Sequence, residues 1–170
     1  MDDVSEAKAT SGQLSTKRHL SVRLKSPSGS HVIDATGMIA GRLSSKVARM
    51  LIEGKHVVIV NGSKALLSGK RNMVISEYLE SLKVSSVVHP KHGPFHPRTP
   101  SGIISRMIRG MIPRRKPKGR LALKRLHVYS GIPENFSKAK FESFDECKAT
   151  KPIAFYVSIG EVASRIGWKG

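Results

Sequence analysis

Apolar positions along the chain fall into stretches of two different periods, separated by polar segments rich in glycine and proline. Residues 1 to about 30 carry no periodic apolar pattern, are rich in Ser, Thr, Lys and Gly, and end in SPSGS. We read them as a flexible N-terminal extension ahead of a single domain over 31–170. HVID, from His31 to Asp34, has the character of a short strand, and Thr36 stands where it can cap the segment that follows. There Ile39, Leu43, Val47, Met50 and Leu51 recur every three or four positions, with Arg42, Lys46 and Arg49 between them. That spacing predicts an amphipathic helix, closed by Gly54. The unbroken run Val57 to Val60 then predicts a strand covered on both faces. Strand, helix and strand in succession make a βαβ unit, hence a parallel pair with a right-handed crossover.

A second helix is written by Ile75, Leu79 and Leu82, with Val74 and Tyr78 beside them, after the polar SGKR. Between Lys83 and Ser101 the periodicity stops, and HPKHGPFHPRTPSG supplies residues that suit neither helix nor strand, so this is a long loop, ordered by itself or by a partner. Thr99 can cap the next helix and Pro100 can take its first position, after which Ile103, Ile104, Met107, Ile108 and Met111 form a stripe. Pro113 ends it, RRKPKG forms a basic turn, RLALK gives one or two helical turns, and RLHVY alternates as a strand. Near the end SIGE, Ser158 to Glu161, is a capping box before Val162, Ala163 and Ile166; Gly167 closes that helix and Trp168 packs back on the body. Helices alternating with strands make the class α/β.

Charge changes the picture. Thirty Lys and Arg against twelve Asp and Glu leave a net charge of +18 in 170 residues. A compact body of that size repels itself unless a polyanion neutralises it, and nucleic acid is the leading candidate. The charge is also concentrated: no Asp or Glu lies between Glu80 and Glu134, while twelve Lys and Arg do. A solvated face normally mixes both signs, so a one-sign surface takes its counter-charges from a partner. Met111, Ile112, Leu121, Leu123, Leu126 and Val128 are expected to anchor this basic segment to the core.

Candidate chemistry narrows the choice further. GSKALLSGK, Gly62 to Lys70, has six residues between its glycines where a phosphate loop has four, and Arg71 follows where that loop has Ser or Thr. GMIAG lacks the dinucleotide fingerprint. His89, His92 and His96 have no neighbouring carboxylate or cysteine to complete a metal site, and imidazoles in a basic loop suit phosphate or a base. The single cysteine, Cys147, excludes an internal disulfide and is read as an ordinary thiol. Asp34, Glu53, Glu77 and Glu80 show no paired acid and base spacing, and no nucleophile has a plausible base. No catalysis, cofactor, metal or small-molecule substrate is expected. The longest apolar run, Ile153 to Val157, is far short of the roughly 20 residues that span a bilayer, so no membrane partner is expected. The N-terminal residues MDDVSEAKAT resemble neither a secretory signal nor a transit peptide, and the default location is the cytosol.

The residues carry a resemblance. VIDATGMIAGRLSSKVARMLIEGK, RGMIPRRKPKGRLALKRLHVYSGIP and GEVASRIGWK look like three separate motifs of the universal L-thirteen family of large-subunit ribosomal proteins, in order, over about residues 31 to 169. The HGPFHPRTPS loop and the Gly-Trp-Lys ending are similar to the archaeal and eukaryotic cytosolic type. Such eukaryotic members continue past Gly-Trp into a lysine-rich helix where this sequence ends at Gly170, and the residues before His31 fall outside the family pattern. The resemblance implies a three-layer α/β/α sandwich on a four-stranded, mostly parallel sheet, and a structural role in the large subunit. The implied partners are rRNA, recognised by shape through basic loops, and neighbouring ribosomal proteins.

The candidate RNA-binding residues are Lys70, Arg71, Lys91, His92, His96, Arg98, Arg106, Arg109, Arg114, Arg115, Lys116, Lys118, Arg120, Lys124 and Arg125. Lysine and arginine there would neutralise phosphates and release counterions. Two other classes are distinguishable. A nucleotide-using enzyme would show turnover or nucleotide-dependent stabilisation; a free-standing binder of DNA, heparin or acidic membrane would not follow large subunits through a high-salt wash.

Overall fold

Four consecutive β-branched residues form the centre of the molecule, because each must be shielded from water on whichever face it points to. In the computed structural model, which describes residues 29–170, the strands are β1 (His31–Asp34), β2 (Val57–Val60), β3 (Leu66–Ser68), β4 (Leu126–Val128) and β5 (Tyr156–Ser158). The helices are α1 (Ala40–Ile52), α2 (Arg71–Lys83), α3 (Pro100–Met111), α4 (Pro117–Lys124) and α5 (Ile159–Arg165). Most of the N-terminal extension, residues 1–28, lies outside the described residues.

β2 is central and buried at every position, with β1 and β4 parallel to it on either side; His31 pairs with Val57, and Val57 with Leu126. Val57 and Ile59 point into the main core with Leu43, Val47 and Leu51 of α1 and Ile103, Ile104 and Ile108 of α3. Val58 and Val60 point the other way, onto Phe136, Tyr129 and Ala139. One sheet face is thus covered by helices and the other by the segment around the 3-10 turn Glu134–Phe136.

The mostly parallel α/β sandwich matches the expectation, but the layer over Val58 and Val60 is the segment around Phe136 in place of helices, and the sheet itself differs. Its fourth chain is a single rung on the free edge of β1, where Glu142 N–H donates to the Val32 carbonyl at 2.8 Å and Asp34 N–H to the Glu142 carbonyl at 3.1 Å. Phe141 and Ser143 on either side are exposed, so no alternating apolar pattern holds a longer pairing there. β3 and β5 form a separate antiparallel pair.

Local sequence explains where elements start and stop. Thr99 accepts a hydrogen bond from Gly102 N–H at 3.2 Å, and Pro100 opens α3, as the sequence indicates. Gly54 and Gly167 follow α1 and α5 at φ of 101° and 100°, a conformation open to glycine without strain. In each case the next residue bonds back over the last turn, Lys55 to Met50 and Trp168 to Ala163. Trp168 is thereby returned to the main core, half-buried.

Three expectations need correction. Thr36 caps no helix: its N–H and Oγ1–H donate to Asp34 Oδ1, and the chain forms bridges at Met38 and Ile39 before α1 begins at Ala40. The periodic stripe on α2 buries none of its residues fully, because that helix lies at an edge against α5 and β5 and leaves Leu79 41% exposed. Met111 and Leu121 do not anchor the basic segment; they are 45% and 53% exposed, on the outer faces of α3 and α4, while the next residue of each, Ile112 and Ala122, takes the core position.

Candidate nucleic-acid interface

The long basic segment is held by small and apolar residues that leave its cations outside. Ile112 is buried at the end of α3, Pro113 turns the chain, and α4 restarts at Pro117. Gly119 is buried under that turn, and a Cβ built on it would overlap the Pro113 carbonyl, so only glycine lets α4 pack this closely. Arg114, Arg115, Lys116, Lys118, Arg120 and Lys124 are consequently all exposed. The basic turn is shorter than expected, because Pro117, Lys118 and Gly119 already lie within α4.

Charge pairing separates the candidates into groups. The ion pairs among the described residues are Lys46–Glu146, Arg49–Glu53, Lys55–Glu53, Arg71–Glu161, Lys148–Asp145 and, when protonated, His31–Glu142. None uses a cation between Glu80 and Glu134. Eleven of the twelve Lys and Arg in that window are exposed, and only Arg125 is half-buried. Arg125 donates from Nη1 to the Leu51 carbonyl at 3.4 Å, placing its charge at the negative end of α1. Arg71 likewise has a local partner. The Glu161 carboxylate that would close a reciprocal capping box reaches Arg71 across to α2, while Ser158 still accepts from Glu161 N–H at 3.2 Å. Lys70, immediately before α2, is exposed.

The 84–99 loop is fastened to α3 and to the end of α2. Arg106 donates from Nη1 to the Phe95 carbonyl, and the His96 ring bonds the Val84 carbonyl at 3.1 Å. Arg106, Arg109 and Arg114 are thereby brought around one depression with Pro94, Phe95 and Gly110. His92 and Lys91 stay exposed on the loop, with the His89 and His92 rings 5.6 Å apart, and Arg98 lies over Gly167. Sequence reasoning passed over Phe95; its signal was a lone aromatic in a loop of prolines, glycines and histidines.

The carboxyl end of the parallel sheet is organised around a structural network. Asp34 Oδ1 accepts from Thr36 N–H and Oγ1–H and from Asn61 Nδ2 at 2.9 Å. Partial burial works against the Asp34 charge, but the bonds from Asn61 and Thr36 and the nearby Lys64 outweigh it and hold the carboxyl below its ordinary value. Asn61 stands in the left-handed region at φ 56°, buried, with its N–H on the Gly131 carbonyl. Cys147 is buried, and desolvation pushes its thiol above the usual range, away from the reactive thiolate.

Comparison with known proteins places this arrangement. A sequence model described as ribosomal protein L13 matches residues 28–135. The large ribosomal subunit protein uL13 of Aeropyrum pernix is 42% identical over 140 residues, which cover 82% of this chain and 90% of that protein. Its counterpart in Saccharolobus solfataricus is 41% identical over 140 residues, covering 82% and 93%. The one from Methanocaldococcus jannaschii is 39% identical over 139 residues, covering 81% and 98%. With the motifs, the parallel α/β body and these relatives in agreement along most of its length, the chain belongs to the ribosomal protein L13 family.

Proposed function

We propose that this chain is a structural, non-enzymatic constituent of the large subunit of cytosolic ribosomes, binding and stabilising folded rRNA through the unpaired cations of its loop, α3 and α4. The observation that carries this reading is the charge census: twelve Lys and Arg between Glu80 and Glu134, with no carboxylate partner among the described residues. Phosphates supply the missing counter-charge, and the rigid α/β body holds the cations in a fixed array that suits one folded RNA surface. Lys91, His92, Arg98, Arg106, Arg109, Arg114, Arg115, Lys116, Lys118, Arg120 and Lys124 belong to this interface. Lys70 and His96 contribute at its margin, and Arg71 and Arg125 contribute less, because each already has a partner. The domain that does this spans 31–170, and other large-subunit proteins are its neighbours.

The reading is tested by sedimentation. A tagged copy expressed in cells should move with large subunits through a sucrose gradient and remain with them after a high-salt wash. Release at low salt, or sedimentation with DNA or membranes, would assign the charge to a free-standing polyanion binder.

A further inference from the structure

Beside the end of α3, the depression lined by Pro94, Phe95, Arg106, Arg109, Gly110 and Arg114 is an open pit of about 480 Å³. Small-ligand sites have a similar size, roughly 300–1,000 Å³. The Phe95 ring is 91% exposed there. Leaving an aromatic ring in water forgoes the gain from burying it, yet the backbone of this residue is fastened with the ring outward, through the Arg106 bond to its carbonyl. Arg106 and Arg109 stand one turn apart on α3 and Arg114 follows its end; none has a carboxylate partner among the described residues. Gly110 leaves the pit without a side chain at its place, and a Cβ there would meet nothing within 4 Å.

An exposed aromatic face beside three guanidiniums, none with a carboxylate partner among the described residues and one, Arg106, also holding the Phe95 carbonyl, combines the two chemistries that a nucleotide presents, a flat base and charged phosphates. We infer that this pit receives a single unstacked nucleotide of the RNA, its base against the Phe95 ring and its adjoining phosphates on Arg106, Arg109 and Arg114. The inference rests on the rRNA-binding reading above and sharpens it: the surface recognises an extruded base as well as a backbone. Every base has a π-face, so the pit selects a local RNA shape more than a base identity. An acidic protein segment, the competing occupant, would use the guanidiniums without needing an aromatic face.

The test compares an RNA duplex with the same duplex carrying one bulged 2-aminopurine, each titrated with the full-length chain. The wild type should prefer the bulged RNA by about 5- to 150-fold, the range that stacking on one ring supplies, and should quench the 2-aminopurine emission. Phe95→Leu should lose both effects and keep its duplex affinity, whereas Phe95→Trp should retain both. Gly110→Leu, which fills the pit from an open position, should also abolish the preference, with melting temperatures confirming that each variant is folded. Equal wild-type affinity for the two RNAs, or a preference that survives in Phe95→Leu, would overturn the inference alone. A polyglutamate peptide that binds more tightly than the bulged RNA, equally in wild type and Phe95→Leu, would assign the pit to a protein and overturn it too. Failure to bind either RNA would remove the ribosomal reading and this inference with it.

Discussion

Asp34 gathers three donors on one carboxylate oxygen at the end of β1, and its charge helps fix the left-handed turn at Asn61. Its folded-state pKa is depressed, so the stability it contributes is present above the unfolded value and is lost as the pH falls through the folded one. Asp34→Asn should therefore lower the melting temperature at neutral pH. The gap from wild type should be full above about pH 5 and close as the pH drops below 3.8, the ordinary aspartate value. A gap independent of pH would show that the charge has no part in the turn. At this scale the sequence is readable for groups that act on their own neighbours, such as Thr99 with Gly102, and silent on partners brought from far away. Nothing local to Arg71 announces Glu161, and nothing local to Arg125 announces the Leu51 carbonyl, because both pairings depend on how elements pack.

Among the elements, α3 does two jobs with two faces. Ile103, Ile104 and Ile108 are buried against α1 and the sheet, while Arg106 and Arg109 stay outside. Ile104→Ala should cost about 2–5 kcal/mol through lost burial and the cavity left behind, and Thr99→Ala about 1 kcal/mol through loss of the cap. Denaturant unfolding checks both, and equal small losses would mean that α3 is held by something other than its apolar face. The strong stripe, the cap and the proline made this helix legible in the sequence, as the β-branched run did for β2. α2 was legible as a helix following SGKR, one residue later than its start at Arg71, but its shallow burial was not, because periodicity reports a face without saying how deeply it is covered. β3 and β5 are not legible, because each sets two apolar residues side by side, Leu66–Leu67 and Tyr156–Val157, instead of alternating, and their pairing joins parts of the chain some ninety residues apart.

The whole molecule is a basic shell fixed to a small apolar centre. Its sign and its concentration between Glu80 and Glu134 are plain in the sequence; the gathering of Arg106, Arg109 and Arg114 beside Phe95 is not, since it depends on the 84–99 loop folding back onto α3. Exchanging Arg114, Arg115, Lys116 and Lys118 together for Ala removes four exposed cations from the turn and the start of α4 without touching a buried side chain. The fold should persist, and the loss of like charge near the positive end of α4 favours it. The most direct measurement is a titration of a large-subunit rRNA fragment at several salt concentrations, wild type against this variant, with melting temperature followed in parallel. If each cation neutralises one phosphate, the slope of log affinity against log salt should become shallower by about 0.7–0.9 per residue, roughly three in all, at an unchanged melting temperature. An unchanged slope in a folded variant would contradict the account, because the unpaired cations of this segment would then not be where the RNA binds.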